Sequence, residues 1–387
     1  NQPREGHMNT DNLSALAVGI GVVALIAGFG VYFNSPGLNS GASGQENSTP
    51  LLVSENGTVT KAEIDKSRFK LAPELAGISG YINTDYVSLA DLKGKVVLVD
   101  FWTYSCINCI RTIPYLNAWH EKYVDEGLVI VGVHTPEFEF EKNYDNVKAA
   151  VEKFGIKYPV AQDNDKVTWK AYENRYWPRK YLVDGEGYIR YDHIGEGAYA
   201  ETEKVIQTLL AERAAAAGQT VSIDGSISSP DSAQSVDFGK IRTPELYFGY
   251  DFARAQLGNP EGFRPGQVVT YSIPENTAIK PNIIYLSGDW KNNPDSMELQ
   301  SDVGKVVLTY TAKAVNIVAG DRGELQISED SSQLTGGDRG SDVSENGQVS
   351  VDGQRLYNLA MHDSYGTHQI EITVTGKGFD IYTFTFG

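Results

Sequence analysis

Residues 99–114 read VDFWTYSCINCIRTIP, and they hold the only two cysteines of the chain at a change of hydrophobic period. The run at residues 95–102 is apolar and rich in β-branched side chains, as in a strand that is buried on both faces. From Ile110 to about Asp125 the apolar residues recur with the period of a helix. Cys106 is therefore expected where a strand ends and a helix begins, and the unpaired N–H groups there stabilise a thiolate.

The two-residue spacing of Cys106 and Cys109 allows a disulfide between them and indicates thiol–disulfide exchange. In that chemistry a thiolate attacks a disulfide sulfur, and a second thiol resolves the mixed disulfide. A zinc site is disfavoured because it usually has four ligands, and no histidine follows at helical spacing. Covalent haem attachment requires a histidine directly after the second cysteine, where this chain has Ile110. A purely structural disulfide within four residues would reduce the entropy of the unfolded chain only slightly. We therefore expect a redox-active Cys106–Cys109 disulfide, no metal and no other cofactor.

Strands and helices alternate through the middle of the chain. Beyond the first strand and helix, the pattern predicts strands at 128–133 and 157–161, helices at 144–154 and 165–172, a hairpin of 180–184 with 188–191, and a final helix at 201–217. This order predicts an α/β domain over residues 72–217, with a mixed sheet and helices on both faces.

The run at residues 99–114 resembles the active-site segment of the thioredoxin superfamily, in particular the extracytoplasmic thioredoxin-like domains of DipZ and TlpA-like proteins. Two further segments carry the likeness, GVHTPEF at 132–138 and NRYWPRKYLVDGEGYIRYDHIGEG at 174–197. The resemblance covers roughly residues 73–216, and a less specific likeness covers 238–387. It implies a thioredoxin-like fold and a thiol–disulfide oxidoreductase that acts on protein substrates bearing disulfides.

The resemblance also implies roles for single residues. Cys106 would be the nucleophile and Cys109 the resolving thiol. Asp100 would be the buried carboxylate that exchanges a proton with Cys109, because desolvation raises the pKa of a buried aspartate. The side chains expected to shape the substrate groove are Trp102, Trp177 and Pro178, the last as a cis-proline.

Two positions depart from the family pattern. The residues between the cysteines are Ile107 and Asn108, which match neither thioredoxin nor the strong oxidants. Thr112 stands where many TlpA-like reductases carry a glutamate. The acid–base role therefore rests on Asp100, with Glu137 or His134 as candidate support, although a structural histidine and solvated glutamates at 137, 139 and 141 are the simpler interpretations.

A thiol peroxidase is the alternative enzyme. Thr103 precedes Cys106 by three residues, a spacing that resembles peroxiredoxins, but their proline four residues before the threonine is Val99 here. The adjacent Cys109 also favours disulfide exchange over peroxide reduction.

The last third of the chain has the pattern of an all-β module. Residues 218–237 are rich in Gly, Ser and Asp and predict a linker. From residue 238 short apolar runs alternate with turn residues, including 267–273, 305–312, 314–318, 355–361, 369–374 and 379–386. Such spacing predicts a β-sandwich or jelly roll as an accessory domain over 238–387.

This module resembles the C-terminal domain of DipZ proteins, which looks like a carbohydrate-binding module. The likeness lies in TPELYFGY at 243–250, YLSGDW at 285–290 and the terminal YTFTFG. It makes Trp290, Tyr247 and Tyr250 candidates for stacking on a glycan, with Tyr365 as a further one, although a core position is the simpler interpretation for any single ring. The acidic loop at 328–346 could hold calcium, but a solvated loop is the simpler interpretation.

The N-terminal region predicts a membrane anchor. Residues 13–33 form an apolar stretch long enough to cross a bilayer as one helix, with a cleaved signal peptide as the alternative. Residues 1–12 precede it, and the Asn-, Ser- and Gly-rich residues 34–71 read as a flexible tether. Basic residues near the stretch are too few to set its orientation.

These features together predict a single-pass, membrane-tethered enzyme with extracytoplasmic domains. The resemblance to DipZ proteins implies a separate membrane protein of the DipZ or CcdA type as the electron donor, and the favoured direction is then reduction of protein disulfides. A non-enzymatic protein that binds cell-surface glycan is the alternative from another class. Nucleic acid is excluded as a partner because the net charge is −17.

Overall fold

The computed structural model describes residues 65–219, 222–334 and 336–387. The predicted membrane span at 13–33, the segment 1–12 and residues 34–64 of the tether lie outside the described residues. In the described part of the chain, none of the helices combines the length and apolar character that crossing a bilayer requires.

The first sheet has six strands in the order β1-β4-β3-β2-β5-β6. These are β1 Gly80–Ile82, β2 Val96–Trp102, β3 Leu128–His134, β4 Val160–Gln162, β5 Arg179–Val183 and β6 Ile189–Ile194. Strands β2, β3 and β4 are parallel, whereas β1, β5 and β6 each run antiparallel to their neighbours. The predicted mixed sheet is therefore confirmed.

Helices cover both faces of this sheet. They are α1 Ile107–Tyr123, α2 Tyr144–Lys153, α3 Val167–Ala171 and α4 Tyr199–Ala216. All seven residues of β2 are buried, and they alternate between the faces: Leu98 packs with α1, α2 and α4, whereas Val99 packs with Trp169 of α3. Because β2 is covered on both sides, its sequence reads as a continuous apolar run rather than an alternating one.

The second sheet is built only from the C-terminal third of the chain and has ten strands. These are β7 Leu246–Tyr247, β8 Val268–Tyr271, β9 Tyr285–Asn292, β10 Met297–Leu299, β11 Val303–Gly320, β12 Gly323–Glu329, β13 Ser332–Gln333, β14 Gln348–Val351, β15 Arg355–Thr375 and β16 Asp380–Phe386. The expectation of an all-β C-terminal part is confirmed, while its finer form as a sandwich or jelly roll stays a prediction.

Two long strands differ from the sequence-based bounds. The pattern predicts separate strands at 305–312 and 314–318, and at 355–361 and 369–374, but each pair forms one continuous strand, β11 and β15. The ladder between them shifts register between Ala312 and Ala314. A bulge inserts extra residues into a strand without ending it. The alternation of apolar and polar residues is therefore interrupted at this position while the strand continues.

Aromatic side chains join the two sheets. Phe138 follows β3, is 1% exposed and lies 5.2 Å, between ring centroids, from Tyr382 of β16. Tyr247 of β7 belongs to the same apolar cluster as the helices of the first sheet. The segment after β3 therefore anchors the second sheet close to the loop that carries the cysteines.

Candidate active site

The two cysteines occupy the position that the sequence predicts. Cys106 is the N-terminal cap of α1, with extended backbone angles, and its carbonyl accepts the first helical hydrogen bond from Ile110 at 3.0 Å. Both residues are free thiols, Cys106 at 9% exposure and Cys109 at 1%. Burial, together with the proximity of Cys106, raises the pKa of the Cys109 thiol well above its usual value. Cys106 is thus the more accessible sulfur, and Cys109 is the protected one behind it.

Asp100 lies in the middle of β2 and is 1% exposed. Its Oδ1 accepts no hydrogen bond from the described residues. Burial raises the pKa of this carboxyl to about 7, against the opposing effect of the Lys180 charge. The Asp100 charge in turn contributes to the raised pKa of Cys109, so the two groups are close enough to interact electrostatically. A carboxyl that titrates near neutral pH beside a buried thiol can exchange a proton with it.

Lys180 is a site residue that the sequence reading missed. It sits opposite Asp100 in the β2–β5 pairing, is fully buried, and donates from Nζ to the carbonyl of Gly195 at 3.0 Å. Burial lowers the pKa of its ammonium. Nothing in the sequence alone marks this lysine, because only the register between two distant strands places it beside Asp100.

Of the predicted groove residues, Trp102 ends β2, and Trp177 and Pro178 come immediately before β5. Trp102 is 2% exposed and packs edge-on against His134 at 5.1 Å between centroids. Trp177 is partly buried and donates from Nε1 to the carbonyl of Thr135 at 2.9 Å. The Trp177–Pro178 peptide bond is cis, as the family resemblance implies. Their role in substrate binding stays a prediction.

His134 is a packing residue. It is fully buried, and burial lowers its pKa to about 3, which leaves the imidazole neutral at physiological pH. Its ring stacks against Tyr104, and its Nε2 lies 3.3 Å from the Thr103 hydroxyl. This geometry favours the structural interpretation over acid–base support.

The two glutamates after β3 differ from the sequence expectation. Glu137 is half-buried and accepts a hydrogen bond from the Tyr247 hydroxyl at 2.7 Å, and burial followed by the Glu245 charge raises its pKa to about 8. Glu141 is fully buried, so its assignment to a solvated face is wrong, whereas Glu139 is exposed as expected. A short 3-10 turn, Glu139–Lys142, directs Glu141 inward, where it accepts from the Ser105 hydroxyl at 2.6 Å and from the backbone N–H groups of two preceding residues. Glu141 therefore holds the residue immediately before Cys106.

The glycan candidates are mostly core residues. Trp290 is fully buried and Tyr247 is 5% exposed, so neither ring presents a face on which a sugar could stack, and the prediction is wrong for both. Trp290 packs in the core of the second sheet, whereas Tyr247 packs in the cluster that includes the helices of the first sheet. Tyr250 is partly exposed, and its role stays a prediction.

A cleft of about 900 Å³ is lined at one end by Ile107, the residue after Cys106. One wall is α1 and α2, and the other includes Arg355 and Leu356 of β15. Arg111 lines it and is fixed by Glu196, to which its Nη2 donates at 2.7 Å. The second sheet therefore forms one wall of a cleft that starts beside Cys106.

The chain is similar in sequence to several known proteins. Residues 70–192 match the AhpC/TSA family, and residues 243–387 match the family described as the thioredoxin-like C-terminal domain. Protein DipZ of Mycobacterium bovis is 36% identical over 320 residues, which cover 82% of this chain and 43% of DipZ. The thiol-disulfide oxidoreductase YkuV of Bacillus subtilis is 31% identical over 140 residues, covering 36% of this chain and 94% of YkuV. A solved thioredoxin-like protein in the oxidized form is 32% identical, with a TM-score of 0.35, over 37% of this chain and 97% of that one.

The mixed sheet and the helix capped by Cys106, with Cys109 in its first turn, define a thioredoxin-like protein. The chain belongs to the family of thioredoxin-like thiol–disulfide oxidoreductases, and it is a homologue of DipZ. It spans less than half the length of the DipZ proteins that it matches.

Proposed function

We propose that the protein exchanges its Cys106/Cys109 dithiol with disulfides of protein substrates and acts as their reductant. One observation carries this proposal. A more accessible thiol caps a helix, a buried thiol lies one turn behind it, and a carboxyl with a pKa of about 7 lies beside the buried thiol. This is the set of groups that thiol–disulfide exchange uses.

The reaction balances within these residues. The Cys106 thiolate attacks one substrate sulfur, the substrate disulfide breaks, and the first substrate thiolate leaves and takes a proton from water. Cys109 then passes its proton to the Asp100 carboxylate and attacks the Cys106 sulfur, which releases the second substrate thiolate to be protonated. The substrate gains two electrons and two protons, and the Cys106–Cys109 pair becomes a disulfide.

The reducing direction is inferred from the homology to DipZ, because DipZ-like proteins fuse these domains to an electron-conducting membrane domain. Burial raises the pKa of the Cys109 thiol, and the Asp100 charge raises it further. Attack by Cys109 on a mixed disulfide therefore depends on a base that accepts its proton, and Asp100 is the candidate for this role.

The membrane and partner proposals rest on the sequence and on the homology to DipZ. Residues 13–33 would tether the enzyme to a membrane as a single span, with the catalytic domain on the extracytoplasmic side. A DipZ- or CcdA-type membrane protein would then return electrons to the Cys106–Cys109 disulfide. Fractionation of cells that express the chain with and without residues 1–33 tests the tether.

Turnover of a disulfide substrate tests the catalytic proposal. With insulin and a dithiothreitol supply, the wild type should reduce the substrate and Cys106→Ser should fall to the uncatalysed rate. When Cys109→Ser is reduced, freed of dithiothreitol and mixed with insulin, it should accumulate a mixed disulfide that is visible by mass. Peroxide consumption without disulfide reduction would instead support the peroxidase, which the AhpC/TSA match and the spacing of Thr103 to Cys106 favour. Unchanged turnover in Cys106→Ser would exclude both.

A further inference from the structure

A cluster of polar side chains lies within the second sheet, in a region that the redox chemistry does not use. It consists of Glu329 at the end of β12, His362 and His368 of β15, and Tyr310 of β11. We propose that Glu329, His362 and His368 bind one divalent transition-metal ion of the zinc class. The expected absence of a metal rests on the two cysteines and on a solvated acidic loop at 328–346, and neither argument takes the two histidines into account.

The backbone of β15 brings the two histidines together. Opposite Ala312 of β11 stands Gly366, and opposite Ala314 stands Met361, so four residues of β15 leave the ladder between these pairs. His362 is the first residue of this bulge, and His368 lies two residues beyond Gly366. Their rings stack in parallel, with 4.1 Å between centroids and 8° between planes. Bulges redirect side chains in this way and recur beside functional sites.

The ligand atoms are close enough for one ion. One nitrogen or oxygen from each of the three residues lies within 4.8 Å of the other two. Glu329 Oε2 and His362 Nε2 are 3.1 Å apart, a separation that suits two adjacent ligands, each about 2.0–2.2 Å from zinc. The parallel rings must tilt for both to point at the ion, so metal binding should break the stack.

The neighbours of the three residues have the contacts that orient metal ligands. Asp330 Oδ2 lies 2.8 Å from His368 Nδ1, a contact that directs the other ring nitrogen of a histidine to a metal. The Tyr310 hydroxyl donates to Glu329 Oε1 at 2.6 Å, which leaves Oε2 for coordination. Asp338 Oδ1 lies 3.4 Å from His362 Nδ1 on the more exposed side.

The charge balance of the cluster also calls for a cation. Glu329 is 7% exposed, and none of the lysine and arginine side chains in the described ranges forms an ion pair with it. Two further carboxylates, Asp330 and Asp338, contact the same pair of imidazoles. Buried carboxylates are usually paired with a cation or bound to a metal. Two imidazoles with one carboxylate favour Zn²⁺, Cu²⁺, Ni²⁺ or Fe²⁺ over Ca²⁺ and Mg²⁺, which prefer oxygen ligands.

A titration of the full chain with Co²⁺ and Zn²⁺ tests the proposal. The protein is first oxidised, so that the Cys106–Cys109 disulfide cannot ligate the metal. The wild type should bind one equivalent of Co²⁺ with visible d–d absorption, and Zn²⁺ should displace it and raise Tm. His362→Gln and His368→Gln should each weaken binding at least tenfold, whereas Asp363→Asn, at an exposed position of the same bulge, should bind as the wild type does.

A second readout does not depend on the variants being folded. Nuclear magnetic resonance of the histidine rings in the wild type should show paramagnetic shifts for His362 and His368 when Co²⁺ binds, while His120 of α1 is unaffected. The proposal is overturned if the wild type binds no ion saturably, or if the shifts appear at other histidines. Equal binding by the wild type and both His→Gln variants would overturn it as well.

Discussion

Asp100 and Lys180 lie directly opposite each other on the antiparallel strands β2 and β5, and both side chains are buried. Desolvation acts on the two groups in opposite senses, raising the pKa of the carboxyl and lowering that of the ammonium. The Lys180 charge limits the rise at Asp100, so that this carboxyl titrates near neutral pH. The pair thus places a carboxyl with a pKa of about 7 near the buried thiol of Cys109.

Replacing Asp100 should slow the step that activates Cys109. The wild-type rate of disulfide exchange should change with an apparent pKa of about 7, because only the ionised carboxylate accepts the Cys109 proton. Asp100→Asn should lower this rate by about 10²-fold and remove the inflection, as expected for loss of a general base. Stopped-flow exchange from pH 5 to 9 measures both effects. The exposed Asp165→Asn is the control, and an inflection that persists in Asp100→Asn would contradict the assignment.

The same residue should make the wild type less stable as pH rises. The pKa of Asp100 is about 7 in the folded state and near 3.8 in an unfolded chain, so the folded state holds the proton more tightly. Its stabilising effect is complete below about pH 4 and is lost as pH rises through about 7, in total on the order of 4 kcal/mol. Asp100→Asn should therefore be more stable than the wild type at pH 8, and this advantage should be smaller at pH 5. Urea unfolding of both proteins at pH 5 and pH 8 measures the difference in their free energies of unfolding. An equal difference at the two pH values would contradict the prediction.

Glu141 should contribute to the stability of the protein, although it forms no hydrogen bond with either cysteine. In Glu141→Gln an amide N–H₂ group must face backbone N–H groups or the Ser105 hydroxyl, which now donate to carboxylate oxygens. We expect a loss of about 1–3 kcal/mol in the free energy of unfolding. Glu139→Gln, on the same 3-10 turn but exposed, should change it little. Equal effects of the two substitutions in urea unfolding would show that Glu141 does not hold the loop.

Phe138 should couple the two sheets. Its ring is 1% exposed and packs against Tyr382 and Tyr247, both from the second sheet. Phe138→Ala should destabilise the protein by about 3–5 kcal/mol through the cavity it leaves. Calorimetry should show one transition in the wild type and a lowered or divided one in the variant. The exposed Tyr144→Ala is the control, and a wild-type Tm retained by Phe138→Ala would argue against this anchor.

The sequence predicts the local features of the site well, because they depend on neighbours in the chain. The apolar run into Cys106 and the helical period after it locate the strand–helix junction to within a residue of α1. The sequence does not reveal the role of Lys180, and it wrongly predicts a solvated Glu141, because strand register places the first and an inward 3-10 turn places the second. Alternation along a strand cannot tell whether Trp290 faces the core or the surface. The packing of the folded chain buries its side chain. The His362–His368 stack depends on a bulge that no hydrophobic pattern reveals.

The measurement that bears most directly on the proposed function is the reduction potential of the Cys106–Cys109 pair, obtained by equilibrating the chain with glutathione and dithiothreitol buffers. A reductant of protein disulfides should show a potential of about −270 mV or lower, at the thioredoxin end of the scale. A value near about −120 mV, typical of a disulfide-forming oxidant, would reverse the direction. A pair that does not cycle at all would contradict the account.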